Sequence, residues 1–219
     1  MRSLFFALSV SFLSFTAHAS FIESNIVDNF ANGDFMSVPG QNKGNYEVRD
    51  IGGGLLNLSS EAWTYISIED LFGLKSLNFD NGSHYTFNFE MRIKTGNNKP
   101  SGPSEIGGFM LANDNVNNIG AAESIYALNL SGTQNWGDKT FKYDFDNLTA
   151  NDSPTWQSFS IDLEDFFYGD YEYLVFINDC DASNCSNTTQ FRNMSVQVPE
   201  PQTLALLALS LFGLRRLRK

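Results

Sequence analysis

Residues 85–94 alternate without a fault: Tyr85, Phe87, Phe89, Met91 and Ile93 are apolar, while Thr86, Asn88, Glu90, Arg92 and Lys94 are polar. A period of two is the mark of a strand with one face in a core and the other in water or against a ligand. The alternation returns over 141–146 and 159–163 and, less cleanly, over 125–130, predicting further half-buried antiparallel strands. Residues 171–177 are apolar on both parities except at Glu172, which predicts a central strand covered on both faces. Residues 106–111 and 191–198 add two more strands.

Between these segments lie stretches rich in Asn, Asp, Gly and Pro, at 78–83, 96–104, 113–120 and 151–154, which read as turns. Gly52, Gly53 and Gly54 lack the spacing of a phosphate-cradling loop and read as a bend before Leu55. Outside the two ends no long 3.6-residue period is found, and residues 163–168 hold a helical turn at most. Short, regularly spaced, aromatic-rich strands predict an all-β fold, an antiparallel two-sheet β-sandwich.

The two ends follow other rules. Met1-Arg2-Ser3 is a small positive region, residues 4–15 are apolar, and Ala17-His18-Ala19 is a small-residue cleavage pattern, so residues 1–19 read as a secretory signal peptide. Signal peptidase would cut after Ala19. At the other end, Pro199-Glu200-Pro201 precedes an apolar run, 203–214, and a basic stop of Arg215, Arg216, Arg218 and Lys219. Cations after an apolar helix stay on the cytoplasmic side, which places the preceding chain outside. Twelve residues make about 18 Å of helix against a hydrocarbon core of about 30 Å, so the transmembrane helix is short and suits a temporary tether. A plain membrane anchor, or a tail docked on the body, is the simpler alternative. The expected organisation is a signal peptide (1–19), one β-sandwich domain (20–197) and a C-terminal segment (198–219).

That C-terminal segment resembles the PEP-CTERM sorting signal of Gram-negative bacteria. The resemblance covers about a tenth of the chain and rests on the motif, the hydrophobic segment and the basic cluster in that order. It implies transient residence in the inner membrane, recognition and removal of the anchor by an exosortase, and delivery to the cell surface or extracellular matrix, often in cells that make exopolysaccharide. Residues 85–94, 106–111, 156–163 and 191–196 give the body a weaker likeness to jelly rolls of the lectin, concanavalin and carbohydrate-binding-module kind.

Charge and cysteine usage agree with export. Removing Arg2, Arg215, Arg216, Arg218 and Lys219 from the 14 basic residues, and Glu200 from the 25 acidic ones, leaves nine against 24, a net charge near −15. Such a body repels nucleic acid and anionic lipid, and suits neutral or cationic polymers or divalent ions. Cys180 and Cys185 are the only cysteines. Their spacing suits a disulfide in an oxidising compartment better than a zinc site, for which no nearby His is available.

Candidate chemistry is sparse. His84 is the only histidine left once the signal peptide is gone, no nucleophile motif accompanies it, and it reads as an exposed residue at a strand start. No catalytic residue and no cofactor site is assigned. Glu90, Asp144, Asp146, Asp162, Glu164 and Asp165 could supply the carboxylate pair of a secreted glycan-active hydrolase. Cross-strand ion pairing explains Glu90 more simply. Trp63 and Tyr65 lie off the parity of Ile66 and Ile68, so they form either a stacking platform for a sugar ring or part of the inter-sheet core. Trp136, in a loop, is a second ligand candidate, and Trp156 is expected to anchor a strand end in the core. Residues 113–118 and 178–181 offer hard oxygen atoms for a structural calcium ion, or simply form turns. The sequence thus favours a non-enzymatic module that binds extracellular polysaccharide or has a structural part in a matrix; a hydrolase or a protein-binding matrix scaffold are the alternatives.

Overall fold

The computed structural model describes residues 19–40, 44–80, 82–94, 105–113, 127–144, 155–180 and 187–198. The leader up to His18, the run 203–214 and the basic stop lie outside the described residues, as do Ala17, Pro199, Glu200, Pro201 and Cys185. Phe21–Val198 forms one compact unit. Among the described residues no helix is long and apolar enough to cross a membrane.

The strands are β1 (Ser20–Glu23), β2 (Met36–Ser37), β3 (Asn45–Arg49), β4 (Leu55–Ser59), β5 (Ala62–Ser67), β6 (Leu77–Asn78), β7 (Thr86–Lys94), β8 (Ile106–Ala112), β9 (Ala127–Asn129), β10 (Gln157–Asp162), β11 (Asp170–Tyr171), β12 (Tyr173–Asp179) and β13 (Thr188–Val198). Sheet A has the order β10-β7-β13-β4-β3, with β1 also on β13; sheet B has the order β2-β5-β12-β8-β9; β6 and β11 form a small ribbon. Neighbours in the main order of each sheet are antiparallel. From β4 to β13 the chain repeatedly crosses between the sheets, a jelly-roll course, and the expected antiparallel sandwich is the fold.

The alternation in β7 is realised as read: Phe87, Phe89, Met91 and Ile93 are buried while Arg92 and its even-numbered neighbours face outward. Opposed to them across the core are Ile66, Phe109, Leu111, Leu174 and Phe176 of sheet B. Ring contacts knit the sheets together, with Phe87 and Phe109 at 5.1 Å between centroids and Phe176 and Phe191 at 5.0 Å. Offset and edge-on contacts of this kind add about 1 kcal/mol each beyond area burial. The strand expected over 171–177 is β12, central in sheet B and buried on both faces.

Three local expectations need correction. Residues 141–144 form no strand; Phe141 packs edge-on against Phe166 at 5.8 Å, and Tyr143 is buried with its hydroxyl on the Thr155 carbonyl, so the alternation reflects packing of an irregular segment. Ile68 is not a strand partner of Ile66 but opens α2 (Ile68–Phe72), which Ser67 caps by accepting the Asp70 amide at 2.9 Å. A further helix, α1 (Ile26–Asn32), went unread, because seven residues are too few to establish a 3.6 period. Gly54 explains how α1 packs beside the bend: φ is +98°, and a Cβ there would sit 2.3 Å from Ile26 Cγ1.

Candidate functional site

Sheet B carries the aromatic residues singled out from parity. Trp63 and Tyr65 do lie opposite Ile66, on the outer face of the sheet, where Val38, Ile106, Met110, Val175 and Ile177 join them in a second apolar cluster. The structure also brings Trp136 there, stacked on Trp63 with centroids 5.7 Å apart and planes 21° from parallel. Tyr65 meets Tyr173 edge-on at 5.6 Å. Trp63 is only 4% exposed and Tyr65 8%, so neither offers a ring face to solvent. The platform is therefore a packed cluster, with Trp136 as its partly exposed cover; Trp136 Nε1 donates to Gln134 Oε1, whereas Trp63 Nε1 is buried without a partner among the described residues.

Sheet A presents the polar face. Pairing aligns Glu47 with Asn57, Asn57 with Gln190 and Gln190 with Arg92, one residue from each of β3, β4, β13 and β7. The side chains join along the same row: Arg92 Nε donates to Gln190 Oε1 at 2.7 Å, Gln190 Nε2 to Asn57 Oδ1, and Asn57 Nδ2 to Glu47 Oε1 at 3.2 Å. Gln190 and Asn57 are buried within it, so the chain of amides satisfies groups that would otherwise be costly to bury. At the β10 end stands Trp156. It is not the core anchor expected at that strand end: it is partly exposed, with the guanidinium carbons of Arg92 and Arg192 at 4.4 and 4.1 Å from its ring centroid.

A second row lies beside the first. Arg192 Nε contacts Glu90 Oε2 at 2.6 Å, and Asn193 Nδ2 reaches the same oxygen at 2.7 Å. Asn193 adopts φ +51° at a register shift in β13 between Arg192 and Ser195. Such an irregularity re-aims side chains, and here it turns the Asn193 amide onto Glu90. Burial pushes the Arg92 guanidinium below its ordinary value, with nearby Arg192 adding to the effect. Lys94 is likewise pushed down, by burial first and then by Arg92 and Arg49.

The remaining candidates are dispersed. His84 is exposed and contacts Glu164 Oε1 at 2.7 Å; Asp162 accepts the Thr86 hydroxyl at 2.6 Å. Asp146 lies outside the described residues. Of the calcium-candidate oxygens, 114–118 and Asp181 are also outside, and the Asn178 amide is turned inward, donating to the carbonyls of Ser60 and Asn187. Among the described residues no group of three or more His, Cys, Asp or Glu side chains is placed to hold a metal. Cys180 is buried just after β12, and no free cysteine occurs among the described residues.

The row on sheet A was missed from sequence because its members come from strands far apart in the chain. Parity could assign Arg92 and Arg192 to outer faces, but not to the same one.

Residues 197–219 match the PEP-CTERM protein-sorting motif. The motif marks the chain as an exosortase-targeted, exported protein with a C-terminal membrane-associated sorting segment. No curated protein matches the chain at a significant level. The match begins at Gln197, so its first two residues, Gln197 and Val198, are the last of β13, the central strand of sheet A.

Proposed function

We infer that the exported body binds extracellular polysaccharide without cleaving it, and acts at the surface or in the matrix of a Gram-negative cell after its tail is removed. The observation that supports this is the outer face of sheet A. A partly exposed indole stands at the end of a row of amide and guanidinium groups, all held by one another in fixed positions. An aromatic ring takes the apolar face of a pyranose, and preset donors and acceptors read its hydroxyls at little entropic cost. Signal peptidase and exosortase are its processing enzymes in this reading, and a Cys180–Cys185 disulfide stiffens the loop after β12.

The test is to incubate the full-length protein with the host's own polysaccharide. Retention on the polymer with no new reducing ends, weakened by Trp156→Ala, is the expected result. New reducing ends abolished by Glu90→Gln or Asp162→Asn would replace this reading with the hydrolase. Neither retention nor turnover would leave a protein-binding scaffold.

A further inference from the structure

We propose that the ligand of this face is an anionic polysaccharide, a polyuronate whose carboxylates are taken by Lys94 and by Arg92 and Arg192, the two guanidinium groups that Trp156 holds in place. The proposal rests on the assignment of sheet A as the glycan face, and adds the charge class of the glycan.

The argument begins with where the few cations are. The body has only nine basic residues against 24 acidic ones, yet Arg49, Arg92, Lys94 and Arg192 all project from the outer face of sheet A. The carboxylates among them are already engaged: Glu47 with Arg49 and Asn57, Glu90 with Arg192 and Asn193. Arg92 has no carboxylate partner among the described residues, and Lys94 is exposed with no ion pair there. An acidic protein that gathers like charges on one face, and leaves two of them uncompensated, holds a positive field in place before any ligand arrives.

The guanidinium geometry sharpens the class. Arg92 and Arg192 each use Nε internally, on Gln190 and Glu90, and both lie over Trp156. Cation–π contact and the Nε bonds fix the planes, and among the described residues no hydrogen bond engages the Nη groups of either. A fork held in this way suits a carboxylate, which it can bind through two parallel hydrogen bonds. Arg92 and Lys94 are lowered by burial first and by their neighbours' charge second, and an anion would relieve the second of these. The body as a whole is acidic and opposes any polyanion at long range, so the contact is local to this face, and DNA is tested beside the polyuronate.

The experiment uses the full chain and three probes: polygalacturonate, neutral dextran and single-stranded DNA. In affinity electrophoresis, polygalacturonate is expected to retard the protein, with the effect weakened by raising salt from about 50 to 200 mM. Lys94→Gln and Arg92→Gln should each weaken retardation about tenfold. The Lys94→Gln protein should melt no lower than its parent, because the substitution removes a repelled cation that has no ion pair among the described residues; that readout separates ligand binding from a structural role. Equal retardation by dextran, insensitive to either variant, would overturn the anionic assignment while leaving glycan binding in place. Failure to bind any polysaccharide would defeat both readings. Binding of DNA as tight as that of polygalacturonate would reduce the face to a general polyanion sink and overturn the proposal.

Discussion

Thr189 Oγ1 on β13 of sheet A donates a 2.6 Å hydrogen bond to Asn178 Oδ1 on β12 of sheet B, and both residues are wholly buried. The same Asn178 amide donates to the carbonyls of Ser60, where the chain passes from β4 to β5, and of Asn187 before β13. One side chain thus satisfies three groups at the end of the sandwich where both sheets change partners. Asn178→Leu would leave the Thr189 hydroxyl without its partner, at about 1–3 kcal/mol, and would cut each carbonyl back to its one backbone donor, Ala62 N–H for Ser60 and Ser60 N–H for Asn187, at about 0.5–1 kcal/mol each. A loss of about 3 kcal/mol in urea unfolding is expected, against about 1 kcal/mol for Thr189→Val. A loss under about 1 kcal/mol for Asn178→Leu would show that water takes over these bonds.

Trp63 distinguishes packing from ligand contact on sheet B. Its indole is buried between the sheet and Trp136, so Trp63→Ala is expected to cost about 3–5 kcal/mol, while Trp136→Ala, at the partly exposed cover, costs less. Both substitutions should abolish any exciton feature of the stacked pair in near-ultraviolet circular dichroism. Polysaccharide retention by Trp136→Ala, measured well below its melting temperature, should equal that of the parent. A stable Trp63→Ala protein that loses only retention would return the site to sheet B.

Alkaline pH probes the buried phenols. Burial pushes the Tyr143 hydroxyl up, against the lowering effect of its hydrogen bond to Thr155, and burial likewise raises Tyr65. Both groups therefore ionise more readily in the unfolded chain. Their contribution to stability is complete below the unfolded value of about 10 and is lost as pH climbs toward the folded values. Stability should fall steeply above about pH 10, and Tyr143→Phe should flatten that fall while costing about 1 kcal/mol at neutral pH through the lost bond. Absorbance at 295 nm would check it: a late-titrating component should disappear in the variant.

The architecture was legible where a strand had one face in the core. The parity of β7 fixed Phe87, Phe89, Met91 and Ile93 as core and Glu90, Arg92 and Lys94 as surface, and the double-sided burial of β12 could be read from its continuous apolar run. Parity could not say that Trp63 is covered, because that depends on where the loop bearing Trp136 returns. Nor could it place Trp156 beside Arg92 and Arg192, since that meeting needs the order β10-β7-β13, made by residues widely separated in the chain. The short helices escaped for a different reason: α2 is set by the Ser67 cap and the left-handed Gly73, not by an apolar stripe.

The abutment of the sorting motif on β13 sets how much chain an exosortase can remove. β13 is flanked by β7 and β4, and it buries Phe191, Met194 and Val196. The described strand ends at Val198, and the next residue in the sequence, Pro199, has no amide hydrogen to donate to a ladder. A chain ending after Val198 keeps every buried residue of β13 and should match the full-length protein in urea midpoint. A chain ending after Asn193 loses Met194, Val196 and the pairing of Ser195–Gln197 with β7. Deletion of two such core side chains costs at least about 4 kcal/mol, a large share of the 5–15 kcal/mol that stabilises a typical domain. Cleavage on the C-terminal side of β13 therefore releases a folded body, whereas cleavage five residues earlier should yield a chain that exposes its core and is degraded; mass spectrometry of the released protein would decide between them.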